Sequence, residues 1–270
     1  GDLVVLCTSD RPRFVVQHLG ILFAGGVTVP VNPRCMPEEM RYYLGDSGAR
    51  IALVDESSHA GFEALAGEMP DLRVLAAETS PEPHAFHPPH VAADDPCLII
   101  YSSGTTGWPK GVVHTHGNIL AALLALQKCW RFTADDVVLN VLPLFHVHGL
   151  GFATQLTLLS GGCVLLDDFD PERTLARIGE CTVFMAVPTI YYRFLERPDF
   201  AAAGAGWSRP RLFTCGSAPI RPEVLPTLER LVGKPIINRY GMSEAYVITS
   251  LPLDGPWPCG SVGLPLDGID

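Results

Sequence analysis

Paired cysteines are missing from this sequence. Its eight cysteines are spread singly, and no two form a CxxC pair. Several stand inside apolar runs, such as Cys97 before Leu-Ile-Ile-Tyr and Cys163 before Val-Leu-Leu. This spacing argues against a disulfide framework and against a cysteine zinc site, and it favours free thiols in a reducing, cytoplasmic compartment.

The sequence also lacks a long apolar segment and an excess of positive charge. No run approaches the ~18 apolar residues of a membrane-spanning helix, and the first residues do not resemble a signal peptide. The formal net charge is −10, so most of the surface would repel a nucleic-acid backbone. We therefore expect no membrane span and no nucleic-acid partner, whereas a small polyphosphate needs only a local cationic site.

Short apolar runs alternate with amphipathic stretches from end to end. Runs such as ARIALVDE (49–56) and RLFTCGSA (211–218) are typical of strands, and MPEEMRYYLGDSG and RPEVLPTLERLVGK are typical of helices. Continuous apolar strands separated by helices predict parallel sheets covered by helices on both faces. We predict an α/β fold with two subdomains, residues 1–96 and 97–270, the first ending in a Pro- and His-rich linker at 79–96.

A glycine-rich stretch, YSSGTTGWPKGVVHTHGN at 101–118, follows the apolar run CLII. Its glycines free backbone N–H groups, and its hydroxyls and Lys110 add further donors, which together are the usual equipment for binding phosphate oxygens. A helix should begin after Asn118, which is a favourable N-cap residue. The stretch is not the P-loop of nucleotide kinases, because Gly111 follows Lys110 where that loop needs Ser or Thr.

The core of this stretch, SSGTTGWPKGV, closely resembles the signature of adenylate-forming enzymes, which include acyl-coenzyme A synthetases, luciferases and adenylation domains. Three further segments resemble other motifs of the family and occur in its order: LPLFHVHGL (142–150), CGSAPI (215–220) and RYGMSEA (239–245). Four ordered motifs are far more specific than any one of them. The resemblance implies two flavodoxin-like parallel-sheet subdomains that form the core of the family's large domain.

The resemblance also implies a site for ATP and Mg²⁺. The residues implied to bind the nucleotide are Ser102, Ser103, Gly104, Thr105, Thr106, Gly107, Lys110, Gly216, Ser217, Ala218, Pro219, Arg239, Tyr240, Gly241, Met242 and Ser243. Ser243 replaces the commoner threonine of the family and keeps the hydroxyl. Glu244 is implied as the magnesium ligand, because this hard cation prefers carboxylate oxygen and water. The residues implied to be catalytic are Lys110, Thr105, Ser243, Glu244 and His146. We expect the glycine loop and Glu244 to face one cleft.

The segment FHVHG carries two histidines at alternate positions, His146 and His148. A zinc site needs more ligands at suitable spacing, and no such set stands out. In the family, the residue at the position of His146 is a gate between the acyl pocket and the tunnel for the thiol acceptor. For His148, a packed histidine with a satisfied ring is the competing interpretation.

The acid substrate is predicted from two arginines. Arg239 directly precedes the Tyr-Gly motif, and Arg193 stands in PTIYYRFLE, which the resemblance places beside the acyl site. A guanidinium removed from water needs an anionic partner. In detail, the segments are most similar to malonyl-coenzyme A synthetases, so malonate or methylmalonate is the predicted acid, with coenzyme A as co-substrate. His146, Arg193, Arg239 and Met242 are the implied substrate residues. The alternative is that Arg193 is a surface residue and Arg239 pairs with a local acid.

Other functions stay open at this point. The chain could activate another short or aryl acid, or an amino acid for a carrier protein, although no Asp for a substrate ammonium stands out. It could also be a non-catalytic nucleotide-binding remnant. The resemblance implies a small C-terminal domain bearing a catalytic lysine, which this sequence lacks. We therefore expect the chain to be part of a longer ligase and not to be competent alone.

Overall fold

The computed structural model of the chain describes residues 1–78, 86–102 and 107–269. The chain divides into two compact units. The first unit comprises Gly1–Ile119 and Leu144–His146, and the second comprises Leu120–Pro143 and Val147–Asp270. Each unit contains its own sheet. Among the described residues, no helix combines the length and the hydropathy needed to cross a membrane.

The first unit contains a mixed sheet flanked by helices. Its strands are β1 (Leu3–Cys7), β2 (Val27–Pro30), β3 (Ile51–Val54), β4 (Arg73–Ala76), β5 (Pro96–Ser102) and β6 (Lys110–Thr115). The described strands lie in the order β4-β3-β1-β2-β5-β6. The pairs from β4 to β5 are parallel, and β6 pairs antiparallel with β5. The helices are α1 (Arg11–Phe23), α2 (Pro37–Ser47), α3 (Glu56–Ala66) and α4 (His116–Trp130), the last of which ends in the second unit.

Local sequence signals set the ends of these helices. Asp10 caps α1 by accepting a hydrogen bond from the backbone N of Arg13, and Asp55 caps α3 by accepting one from the backbone N of Ser58. Gly48 stops α2 in the left-handed conformation, with φ of +70°. Such caps satisfy backbone groups that the helix leaves unpaired.

The domain boundary differs from the predicted one. Strands β5 and β6 belong to the first sheet, so the main division falls after Ile119 instead of after residue 96. The physical reason is the packing of β5, whose Ile99 and Tyr101 are part of the buried core of the first unit. The apolar run of β5 therefore completes the first sheet and does not open a second one.

The second unit contains a sheet that is parallel through its centre. Its strands are β7 (Val137–Asn140), β8 (Cys163–Leu166), β9 (Val183–Ala186), β10 (Leu212–Cys215), β11 (Ile236–Met242), β12 (Tyr246–Ser250) and β13 (Leu264–Pro265). The described strands lie in the order β13-β12-β11-β10-β9-β7-β8, and β12 and β13 are antiparallel additions. The α-helices are α5 (Leu156–Leu159), α6 (Pro171–Arg177), α7 (Pro188–Leu195), α8 (Phe200–Ala205) and α9 (Leu225–Val232). A π-helix spans His148–Gln155, and 3₁₀ turns span Ile178–Glu180 and Pro222–Val224.

This topology has the predicted α/β character. Strands β9 and β10 are buried at every position, as expected of parallel strands covered on both faces. Gly233 ends α9 in the left-handed conformation, with φ of +70°. The cysteines are free, but their environments differ, because Cys97 is buried and Cys163 is exposed.

Candidate functional site

The predicted phosphate-binding stretch joins β5 and β6 of the first unit. Ser102 ends β5, Lys110 begins β6, and the two residues pair across the antiparallel ladder. Gly107 has φ of +140°, a conformation that favours glycine. Lys110 is exposed at the start of its strand. Four residues of the predicted cradle lie outside the described residues: Ser103, Gly104, Thr105 and Thr106.

The predicted N-cap of α4 is wrong. The helix begins at His116, so Asn118 lies inside its first turn. The Asn118 Oδ1 atom accepts hydrogen bonds from the backbone N and the Oγ1 of Thr115, and the Asn118 backbone N donates to Thr115 Oγ1. This reciprocal exchange is the pattern of a capping box, in which Thr115 takes the cap position.

Three predicted motifs follow strands of the second sheet. LPLFHVHGL comes just after β7, CGSAPI begins at the end of β10, and RYGMSEA continues β11. Strand β7 has β8 on one side and β9 on the other, so the order of connection reverses there. In open α/β sheets, ligands bind beyond the carboxyl ends of the strands near such a reversal. The carboxyl ends of β7, β10 and β11 therefore lie at the edge of this sheet where a ligand is expected.

Arg239 is a buried cation in this group. It lies on β11 and is only 3% exposed. Its guanidinium carbon is 4.7 Å from the ring centroid of Phe152, and its Nη2 is 3.4 Å from the Oγ of Ser217. Within the described residues, no carboxylate forms an ion pair with Arg239, and its Nε has no hydrogen-bond partner. Burial lowers the pKa of Arg239 to about 10, so the side chain remains charged at neutral pH.

His148 and Ser217 lie beside this arginine. The Nδ1 atom of His148 is 3.1 Å from Ser217 Oγ, the same hydroxyl that Arg239 approaches. Ser217 has φ of +68°, a conformation that costs energy for a residue with a side chain. His148 is buried, in agreement with the interpretation of a packed and hydrogen-bonded histidine. The three side chains form one polar group at the ends of the strands.

Two residues near Arg239, Phe152 and Tyr246, lie outside the motifs from which the site was predicted. Phe152 and Tyr246 meet edge to face, with ring centroids 5.4 Å apart, and Phe152 also supports the guanidinium. The π-helix brings Phe152 to this position, and π-helical turns are frequent at functional sites. A Cβ atom at Gly151 would lie 2.7 Å from the Tyr246 ring, so the close approach requires glycine there. Only the glycines around Phe152 could have hinted at such packing.

The RYGMSEA motif forms the end of a hairpin. Strands β11 and β12 pair antiparallel with an irregularity at Tyr240 and Gly241. Tyr240 and Met242 are exposed, and so is Glu244 in the turn that follows. A Cβ atom at Gly241 would lie 2.1 Å from the carbonyl oxygen of Tyr246. The hairpin therefore needs glycine at this position, and it leaves Ser243 half-buried beside an exposed carboxylate.

The predicted adenine edge follows β10 directly. Gly216 is buried, whereas Ser217, Ala218 and Pro219 are exposed. A Cβ atom at Gly216 would lie 2.8 Å from the guanidinium carbon of Arg239. Because Gly216 has no side chain, the side chain of Arg239 can lie beneath the exposed residues 217–219.

The remaining predicted residues are placed differently. His146 is exposed and is grouped with the first unit, and its ring centroid lies 4.6 Å from that of Phe145. Arg193 lies on α7 with its side chain 65% exposed, and it forms an ion pair with Glu196 at 3.2 Å. For Arg193, this placement favours the alternative of a surface residue, whereas Arg239 has the buried environment that was expected.

The fold and the ordered motifs together define an α/β nucleotide-binding protein of the adenylate-forming class. The whole chain, residues 1–270, matches the family described as AMP-binding enzyme. The chain therefore belongs to the AMP-binding enzyme family, which confirms the family prediction.

The relatives of this chain include proteins named malonate–CoA ligase. Malonate–CoA ligase ACSF3, mitochondrial, from Bos taurus is 34% identical over 304 residues, which cover 100% of this chain and 50% of the relative. ATP-bound MatB from Rhodopseudomonas palustris is 34% identical, with a TM-score of 0.91 over 99% of this chain and 55% of that one. A malonyl-CoA ligase ternary product complex with methylmalonyl-CoA and AMP is 31% identical, with a TM-score of 0.85 over 99% of this chain and 57% of that one. The chain spans about half the length of the curated relatives it matches. Because the bovine relative is named mitochondrial, a cytoplasmic location stays a prediction.

Proposed function

We propose that this chain holds the nucleotide and acid sites of an ATP-dependent acid–thiol ligase. The ligase activates malonate or methylmalonate as an acyl-adenylate, releases pyrophosphate, and transfers the acyl group to coenzyme A. Membership of the AMP-binding family supports the reaction class. Relatives named for malonate and methylmalonyl-CoA support the choice of acid. The single observation that carries the choice is the environment of Arg239.

A buried guanidinium without an acidic partner is costly unless a ligand supplies the missing charge. Arg239 is in this state, because among the described residues its polar contact is the Ser217 hydroxyl at 3.4 Å. A dicarboxylate fits the requirement, since one carboxylate can react while the other pairs with the guanidinium through charge-assisted hydrogen bonds. An amino acid would bring an ammonium toward the same cation, which disfavours that alternative. Acetate would leave the cation unpaired.

The proposed magnesium ligand has suitable chemistry. Glu244 offers an exposed carboxylate, and no group of three or more His, Cys, Asp or Glu in the described part of the chain could hold a metal by itself. Mg²⁺ commonly binds through one or two carboxylates together with substrate phosphates and water. A single glutamate therefore fits a cation that arrives with the nucleotide. When bound, the cation would neutralise charge on the phosphates.

The roles proposed for the other residues follow from the charge of the reaction. The substrate carboxylate attacks the α-phosphorus of ATP, the bond to the pyrophosphate breaks, and negative charge accumulates on the phosphate oxygens. Donors held in place before the reaction stabilise such charge. We assign this work to Lys110 and Thr105 on the β- and γ-phosphates and to the Ser243 hydroxyl on the α-phosphate. His146 is proposed to gate the path of the thiol.

The substitution Arg239→Ala tests the choice of acid. In the complete gene product, we expect the kcat/KM for malonate to fall about 100-fold, since removing one partner of a buried charge pair costs ~3 kcal/mol. Acetate has no second carboxylate, so its turnover should stay within about twofold of its starting value. Pyrophosphate release measured with each acid and saturating ATP gives both numbers.

The matched control is Arg230→Ala, which removes an exposed arginine from α9 of the same unit. It should leave both acids unaffected. An equal loss for malonate and acetate in Arg239→Ala would contradict the selective role of Arg239. A wild-type protein that releases no pyrophosphate from ATP with any acid would contradict the ligase proposal itself.

A further inference from the structure

Four aromatic residues of the first unit form a contiguous group, here called the Tyr42 cluster: Tyr42, Tyr43, Tyr101 and Trp108. The rings of Tyr42 and Trp108 are stacked, with centroids 4.9 Å apart and planes at 20°. Tyr42 also meets Tyr43 and Tyr101 edge to face at 5.9 and 6.1 Å, and Tyr43 lies 4.7 Å from Tyr101. The cluster therefore connects α2 to β5 and to the segment that precedes β6.

Hydrogen bonds fix the two ends of the cluster. The Tyr42 hydroxyl donates to the carbonyl oxygen of Pro109 at 2.6 Å. The Tyr101 hydroxyl donates to Oδ2 of Asp46 at 2.7 Å. Tyr42 and Asp46 stand four residues apart on α2 and so share one face of the helix. One bond thus joins α2 to β5, and the other joins α2 to the backbone immediately before Lys110.

The contacts of Tyr42 with Trp108 and Pro109 add little to the apolar core of the first unit. Tyr101 belongs to the buried core of the first unit, but Trp108 is 56% exposed. An exposed indole stacked on one ring buries only part of its apolar surface, so it contributes less than a core aromatic. What the stack and the hydroxyl bond do fix is the path of residues 108 and 109, and hence the position from which Lys110 extends.

We propose that Tyr42 is a positioning residue for phosphate binding, acting through Trp108 and Pro109 on Lys110. The inference rests on the proposed function, because it requires Lys110 to contact the β- and γ-phosphates of ATP. Small displacements of a binding group can cost large factors in affinity or rate. Tyr42 thus links α2, which carries none of the predicted site residues, to the binding of the triphosphate by Lys110.

Two substitutions at Tyr42 separate its contributions. Tyr42→Phe keeps the stack and removes the bond to Pro109, so we expect an affinity for ATP about 3-fold weaker. Tyr42→Leu also removes the ring stack, and it should weaken the affinity for ATP about 10-fold. Calorimetric titration of the full chain with ATP in excess Mg²⁺ gives the dissociation constants. The conservative Phe variant keeps the test valid should the Leu variant fold poorly.

AMP provides the readout that a purely structural role would not move. AMP lacks the β- and γ-phosphates, so both Tyr42 variants should bind it within about twofold of the wild-type affinity. Tyr101→Phe is the matched control, because it removes a tyrosine hydroxyl bond of the same cluster that does not reach the segment before Lys110. Tyr101→Phe should lower the melting temperature without weakening the binding of ATP.

The outcomes distinguish the inference from the proposal beneath it. Equal weakening of ATP and AMP by Tyr42→Leu, or no weakening of ATP, would overturn the positioning role while the ligase proposal stands. A wild-type chain that binds neither ATP nor AMP would overturn the proposed function, and the inference with it.

Discussion

Gly216 shows how a single missing side chain shapes the candidate site. A Cβ atom there would lie 2.8 Å from the guanidinium carbon of Arg239 and 2.9 Å from its Cγ. Carbon atoms that are not bonded do not approach so closely, so the arginine would have to move. Because Arg239 is buried, it has little free space into which it can move. The position of the cation thus depends on a residue that makes no polar side-chain contact of its own.

We therefore expect Gly216→Ala to raise the KM for malonate about 10-fold in the complete gene product, and to raise it more than the KM for ATP. Steady-state pyrophosphate release with each substrate varied in turn provides the comparison. Gly20→Ala is the control, because a Cβ atom at this helical glycine meets nothing within 4 Å. It should leave both constants unchanged and should stabilise the fold by about 0.5–1 kcal/mol. An unchanged malonate KM in Gly216→Ala would contradict the dependence of Arg239 on Gly216.

For single residues, the sequence predicts which residues belong to the candidate site better than it predicts which groups they contact. Arg239 and Glu244 follow from the motif that contains them. The bond between His148 and Ser217 and the ring of Phe152 beneath Arg239 could not be predicted, because they depend on packing between separate segments. The ion pair of Arg193 with Glu196 could have been suspected, since residues three apart on a helix are neighbours.

Among the elements, strand assignment is local but strand pairing is not. The apolar run of β5 is recognisable in the sequence, yet its neighbours β2 and β6 are determined by the tertiary fold. Strand β6 is largely exposed, so it gives no apolar run to recognise. Because the sequence does not show that β5 and β6 complete the first sheet, the predicted domain boundary at residue 96 lies too early in the chain. The π-helix His148–Gln155 was missed as well, because its residues have no periodicity distinct from that of an α-helix.

The start of β7 is held by an ion pair between a buried aspartate, Asp136, and an arginine that is partly exposed, Arg211. Arg211 donates to both carboxylate oxygens of Asp136, through Nε at 2.7 Å and Nη2 at 2.6 Å. Thr182 and the backbone N of Thr133 donate to the same carboxylate. Burial raises the pKa of Asp136, but the hydrogen bonds from Arg211, Thr133 and Thr182 outweigh it, so the pKa lies below its ordinary value.

We expect Asp136→Asn to lower the free energy of unfolding by about 2 kcal/mol, because it removes the buried negative charge that accepts hydrogen bonds from Arg211, Thr182 and Thr133. Urea denaturation followed by circular dichroism measures this loss. Asp135→Asn is the matched control, since the neighbouring carboxylate is exposed and should matter by less than about 0.5 kcal/mol. Similar losses in the two variants would show that the ion pair does not hold β7.

For the molecule as a whole, the class of fold is the most predictable property. Alternating apolar strands and amphipathic helices indicate parallel sheets, and the order of four motifs indicates the family. Both predictions are confirmed because they depend on patterns repeated along the entire chain. The antiparallel strands β6, β12 and β13 add to the sheets without disturbing this pattern.

The stability of the fold should depend on pH through His18. This residue is 1% exposed, and its Nδ1 lies 2.9 Å from the Oγ1 of Thr28. Burial lowers the pKa of His18 from 6.5 to about 4. Between these two values the unfolded chain binds a proton that the folded chain does not bind. Acid therefore favours unfolding in this window, whereas above pH 6.5 the contribution of His18 is constant.

We expect the free energy of unfolding to fall by about 2 kcal/mol more between pH 7 and pH 5 in the wild-type chain than in His18→Gln, which has no titrating side chain at this position. Urea denaturation at the two pH values measures the difference and removes the contributions of other groups. His59→Gln is the control, because it removes a half-buried histidine from α3 of the same unit, and the difference from His18→Gln should persist in it. The same pH dependence in the wild-type chain and in His18→Gln would mean that His18 accepts its proton in the folded state as readily as in the unfolded one.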